Sequence, residues 1–135
     1  MKLPGPDHPI SIVAHAGRVV VTFAGRTIAE TRRALTLRES SYPPVHYIPL
    51  EDVDPGVLEA SDRKTYCPYK GDCSYFSLVA GDVRSDNAVW IYRTPYDSVT
   101  AIRDHVAFYP GRVEITQLAA AGETSKTEIA DSTSR

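Results

Sequence analysis

Between Thr65 and Leu78 the chain reads TYCPYKGDCSYFSL, and two cysteines, one lysine and three tyrosines crowd this stretch. Pro68 presets the backbone angle wanted at the second position of a type I turn, and Gly71 follows where a left-handed residue is wanted. Lys70 is therefore expected at the fixed tip of a rigid turn, where its ammonium can hold an anionic group. Cys67, three residues earlier, is a thiol that a nearby cation would make reactive, which marks it as a candidate nucleophile. Tyr66, Tyr69 and Tyr75 supply flat faces and phenolic donors. The bland alternative has Cys67 as a small buried residue and Lys70 as a solvated tip, and residue types alone favour it.

Further groups with chemical potential lie outside the turn. Glu39 ends an alternating stretch, Ala34 to Arg38, and is a candidate proton acceptor at a cleft rim; a solvated strand end is the commoner role for such a glutamate. Tyr47 and Asp52 lie near a helix-start signal, so Asp52 divides evenly between capping and function. Trp90 and Tyr92 share one side of their strand and Val89 and Ile91 the other. If the aliphatic pair is the core side, the aromatic pair faces a groove of the kind that takes ligands.

Metal chemistry has little to stand on. Cys67 and Cys73 do not form a C-x-x-C knuckle, and His8, His15, His46 and His105 are scattered rather than paired as structural zinc requires. No metal site is indicated, and the sequence leaves any cofactor unknown. A Cys67–Cys73 disulfide across the turn is sterically allowed but disfavoured in a reducing compartment. The chain has no G-x-S-x-G, P-loop or G-x-G-x-x-G pattern.

The elements that must position these residues are short. RVVVTFAGRTIAET reads as a hairpin turning at Gly25, and Leu35 alternates with Thr36 through Arg38. Pro43-Pro44 enforces an extended path into Val45 to Ile48. Asp54 is a helix cap with Pro55 in the first helical position, and one or two turns follow to Ala60. Tyr75 to Val79, Ala88 to Tyr92, Val106 to Tyr109 and Arg112 to Ile115 complete the strands, and Ser98 caps a second short helix, Val99 to Arg103. Seven to nine strands and two short helices, without βαβ alternation, predict a mainly β, antiparallel single domain of barrel-like or sandwich form. Residues 1–9, with three prolines, read as a loose arm, residues 10–118 as the domain, and residues 119–135, which lack periodicity, as a disordered tail.

With 135 residues and a net charge of −2, the chain suits one domain with no basic face, so nucleic acid is not an expected partner. No apolar run is long enough to span a bilayer, and MKLPGPDHPI has no signal-peptide core. Neither a membrane nor export is expected, and the cytoplasm is the predicted location. Self-association into a homodimer stays open, through an exposed Trp90/Tyr92 side.

In order along the chain, RVVVTFAGRTIAETRRALTLRES, PPVHYIPLEDVD, TYCPYKGDCSYFSL, NAVWIY-x-x-P and AIRDHVAFYPGRVEI closely resemble the DUF427 family, over roughly Arg18 to Ile115. The Cys-Pro-x-Lys-Gly motif followed by Ser-Tyr is its most specific part. The resemblance implies a compact fold of the Mss4-like, β-tent kind. It also implies a nucleotidyltransferase-like label, although the Gly-Ser and paired aspartates of such enzymes are missing here. The family's characteristic positions fall on Glu39, Tyr47, Pro49 and Asp52, on Cys67, Pro68, Lys70 and Gly71 in the turn, and on Tyr75, Trp90, Tyr92, Phe108 and Tyr109. Cys73 departs from the family, which usually has a small residue such as alanine there.

The reading that emerges is a small-molecule-binding domain. Its ligand is an anionic or aromatic metabolite beside the Cys67–Gly71 turn, held by Tyr47, Asp52, Lys70, Tyr75, Trp90 and Tyr92. One alternative is an enzyme acting on a phosphorylated or nucleotide-like substrate, with Glu39, Lys70 and Cys67 as its catalytic parts. The other is a protein-interaction domain.

Overall fold

Ten strands and three short 3₁₀ segments make up the computed structural model, which describes residues 1–118. The strands are β1 (Ile10–Ala14), β2 (Arg18–Phe23), β3 (Arg26–Thr31), β4 (Leu35–Glu39), β5 (Val45–Pro49), β6 (Leu58–Cys67), β7 (Gly71–Ala80), β8 (Val83–Ile91), β9 (His105–Phe108) and β10 (Glu114–Leu118). Seven form one antiparallel sheet in the order β1-β4-β5-β9-β8-β7-β6, and three form a second in the order β10-β2-β3. The mainly β, antiparallel expectation holds. The tail expected over residues 119–135 lies outside the described residues.

The hairpin of β2 and β3 follows from its sequence. Ala24 and Gly25 both take positive φ, 54° and 75°, the pair of left-handed residues that closes a two-residue hairpin without splaying the strands. Val19, Val21 and Phe23 alternate inward from β2. With Ile28 and Ala29 they pack against Ile48, Leu78, Val89, Ile91 and Val106 of the large sheet. This hydrocarbon layer between the sheets is the main core. Each side chain it removes from water contributes roughly 1.5–3 kcal/mol.

The opposite face of the large sheet carries a second, different cluster. Leu37, Tyr47, Cys73, Tyr75, Tyr92 and Ala107 lie there, with Val99 and Ile102 brought over them by the 3₁₀ segment Asp97–Ile102. Register explains the division. Tyr75 pairs with Trp90 and Phe76 with Val89, so alternate residues of β7 and β8 serve opposite faces.

Several local expectations need correction: ten strands stand where seven to nine were expected, and the last runs over Glu114–Leu118 rather than Arg112 to Ile115. Asp54 does cap, its side chain accepting from the Gly56 amide at 2.9 Å with Pro55 in first place, but the segment is a single 3₁₀ turn, Pro55–Val57. The chain then enters β6, ten residues long, where no strand was expected. Nor does Ser98 cap the later segment: it lies inside Asp97–Ile102, which follows Tyr96 and has no side-chain cap. β6 is an edge strand, mostly exposed, and its register with β7 is interrupted between Ala60 and Lys64.

The first nine residues are held against the domain rather than loose. The Lys2 amide donates to the Pro68 carbonyl at 2.7 Å, Gly5 and His8 bridge each other, and the Ser40 amide donates to the Pro9 carbonyl at 2.8 Å.

Candidate functional site

The turn from β6 to β7 is built as its sequence demands. The Lys70 amide donates to the Cys67 carbonyl at 3.3 Å, closing Cys67-Pro68-Tyr69-Lys70. Gly71 follows at φ +108°, and a Cβ there would sit 3.4 Å from the Thr94 carbonyl. The Tyr96 amide donates to the Lys70 carbonyl at 3.0 Å. A local turn and a distant segment thus fix the same residue.

Lys70 is not a solvated tip. Only 7% of it is exposed, and its Nζ donates to Glu39 Oε1 at 2.5 Å and approaches Cys67 Sγ at 3.6 Å. The second oxygen of Glu39 accepts from His8 Nε2 at 2.7 Å, and the His8 ring lies flat on Tyr69, centroids 3.9 Å apart. Burial pushes the Glu39 carboxyl up, but the hydrogen bonds and charges of Lys70 and His8 outweigh it and leave the group below the ordinary carboxylate value. Glu39 is therefore an ionised anchor for two neighbours.

Beside this pair opens a cleft of about 230 Å³. Glu39 and Lys70 are among the residues that line it. Tyr47, Tyr75, Trp90 and Tyr92 form its walls, with Cys73 among them, and Tyr42 and Tyr109 stand at its rim, 64% and 39% exposed. The Trp90 indole donates to the Tyr47 hydroxyl at 3.1 Å and packs 4.6 Å from the Tyr109 ring. Tyr75 shares a hydrogen bond with Thr65 at 2.9 Å, and Arg63 covers its ring at 5.0 Å. Burial is the main reason that the Tyr47 and Tyr92 phenols titrate well above the ordinary range and that the Cys73 thiol is also raised. The phenols are thus neutral donors and acceptors at any ordinary pH.

The structure brings together Glu39, Lys70, Tyr47, Tyr75, Trp90 and Tyr92 from the sequence-derived set. Val89 and Ile91 are on the core side, which sends Trp90 toward the cleft. Two residues do not join. After Pro49 the chain turns through the 3₁₀ segment Leu50–Asp52 toward β3, and the Asp52 carboxylate accepts from Thr31 Oγ1 at 2.6 Å and from Arg33. Asp52 ties two elements together away from the cleft. Cys67 lies beside Lys70 but not on the cleft wall, and both cysteines are free thiols. Cys67 pairs across the hairpin with Gly71 and Cys73 with Thr65, so they are not cross-strand partners.

Sequence reasoning missed His8, Tyr42 and Cys73. His8 sits in a proline-rich arm and Tyr42 in a turn beside Pro43-Pro44, and no local pattern marks either. Cys73 does carry a sequence signal, since it alternates with Tyr75 and shares that residue's face. Among the described residues no group of three or more His, Cys, Asp or Glu is placed to hold a metal ion. No described helix is long and apolar enough to cross a membrane.

A family model described as a domain of unknown function, DUF427, matches residues 11–118 of the chain. No curated protein matches it.

Proposed function

The chain belongs to the DUF427 family, and from that membership and the cleft geometry we propose that it is a small-molecule-binding domain whose ligand lodges beside the Cys67–Gly71 turn. One observation carries the reading: a nearly buried Lys70–Glu39 ion pair lines an aromatic-walled cleft. A buried pair of this kind contributes little net stability, because desolvation offsets most of its attraction. An aliphatic lining would serve the fold better. Aromatic walls with a few convergent polar groups are the usual make-up of a ligand pocket, and at about 230 Å³ this one suits a ligand smaller than the roughly 300–1,000 Å³ class of drug-sized sites accommodates. The two-sheet arrangement supports the β-tent reading of the fold.

The enzyme alternative, acting on a phosphorylated or nucleotide-like substrate, keeps Lys70 as a charge clamp. Both oxygens of Glu39 are already engaged and its carboxyl is lowered, which supports an anchoring role over proton transfer.

The test is a thermal-shift screen against nucleotides, sugar phosphates, organic acids and uncharged heterocycles, run beside Lys70→Ala. A ligand at about one hundred times its dissociation constant adds roughly 2.7 kcal/mol. In a domain of this size that is a rise on the order of 10 °C. A shift that vanishes in Lys70→Ala supports the cleft. A screen without any shift sinks the proposal.

A further inference from the structure

The charges at the cleft narrow its ligand further; this inference rests on the cleft being a ligand site. Lys70 is the cation of the cleft wall and Glu39 the anion, and they are bonded to each other. An anionic ligand drawn to Lys70 would meet the Glu39 carboxylate. A cationic ligand drawn by Glu39 and by the ring faces would meet the Lys70 ammonium. Either must give up its water without gaining an uncompensated counter-charge.

What the pair does offer is hydrogen bonding. An ammonium has three N–H groups. One serves Glu39 Oε1 and one points toward Cys67 Sγ, so the third is left to donate. Each carboxylate oxygen accepts about two bonds, and each has one protein partner here. Lys70 and Glu39 therefore present a donor beside an acceptor. The matching ligand edge is an acceptor beside a donor. Trp90 and the exposed Tyr109, both on the cleft wall, offer ring surface against which a planar ligand packs.

We propose that the cleft takes an uncharged planar nitrogen heterocycle of the cyclic-amide or nucleobase type, its carbonyl accepting from Lys70 and its adjacent N–H donating to Glu39. A ring of that kind brings no charge to be desolvated and satisfies both poles of the ion pair without breaking it.

The chain has a single tryptophan, Trp90, and it lies on the cleft wall, so intrinsic fluorescence reads the site directly. The unmodified chain is titrated at neutral pH with uracil and hypoxanthine, with benzoate as an anionic ring, and with benzyltrimethylammonium as a cationic ring. The expected result is a saturable change with at least one uncharged ring, at an affinity about tenfold or more above both charged rings, a preference of some 1.4 kcal/mol. A double variant, Lys70→Met with Glu39→Gln, removes both charges together and is expected to weaken the uncharged ring by about tenfold or more. The ranking among ligands uses the unmodified chain and stands whether or not the variant folds. Benzoate or benzyltrimethylammonium binding as tightly as the uncharged rings overturns the ligand class and leaves the cleft a binding site. If none of these rings moves Trp90 while the thermal screen gives a hit lost in Lys70→Ala, the class is again overturned and the cleft stands. If neither experiment responds, both readings fall.

Discussion

Strand β8 sends Val89 and Ile91 to one side and Trp90 to the other, and the two faces it helps to make share almost no chemistry. The inter-sheet face has a purely hydrocarbon core, aliphatic side chains with Phe23 and Phe108, and is sealed by a second sheet. The opposite face carries phenols, an indole, a thiol and an ion pair, and is covered only in part, by the 3₁₀ segment Asp97–Ile102. The first is what transfer free energy alone would select. The second contains groups that a stability-driven lining would replace. One sheet thus gives its two faces different chemistry by the period-2 alternation of its strands.

Substitutions on the two faces should therefore differ in kind. The largest loss is expected for Leu78→Ala on the inter-sheet face, about 2–5 kcal/mol by urea unfolding, with Trp90 still responding to ligand in the folded protein. On the cleft face Lys70→Met leaves the Glu39 carboxylate held by His8 alone. A loss of about 1–3 kcal/mol is expected, below the cost for a fully buried pair because the site is partly open. Adding Glu39→Gln should restore most of it. A double variant as unstable as the single one would mean that the pair is not a separable unit. Gly71→Ala should cost about 1–2 kcal/mol, since φ +108° and the nearby Thr94 carbonyl both oppose a side chain. Arg84→Ala, which removes exposed ion pairs to Glu59 and Asp86, should leave the unfolding midpoint unchanged.

Acid separates the faces again. His46 lies two residues before Ile48 on β5 and so shares the inter-sheet side. It shares a 3.0 Å hydrogen bond with Thr36, and the His15 ring meets its ring edge-on at 5.1 Å. Burial lowers both histidines from 6.5. A lowered histidine favours folding while neutral, so its contribution is full above the unfolded value of 6.5 and fades as pH falls from there through the folded values. Glu39 is lowered from 4.5, so its contribution is full above 4.5 and is lost only as pH falls through its folded value. Melting temperature against pH should fall first below 6.5 and again below 4.5. His15→Gln should reduce the first decline and Glu39→Gln the second. A single decline untouched by either variant would refute the assignment.

Where alternation was present, the sequence was sufficient to find the strand. Val19, Val21 and Phe23 declared β2, and the Asp54-Pro55 pair declared its cap. β6 went unread because LEASDRKTYC is an edge segment with little to bury, so its pairing with β7 left no apolar period behind. The site residues were legible singly: a lysine on a rigid turn, a glutamate at a strand end, aromatics on one side of β8. Their meeting was not. Glu39 and Lys70 are brought together by β4 and the β6–β7 turn, which lie on opposite sides of a seven-stranded sheet's order, and no local pattern encodes such a pairing. His8 was least legible, since only tertiary contact turns an arm into part of a site.

The same polar edge that hid β6 from sequence reading has a consequence for life in a crowded solution. An outermost strand offers unpaired amides and carbonyls to any other extended chain. Here the break in register between Ala60 and Lys64 twists that row, and Asp62, Arg63 and Lys64 load it with charges of both signs. Docking of a foreign strand would have to desolvate those charges across an irregular register, so an edge of this make-up disfavours pairing with another chain.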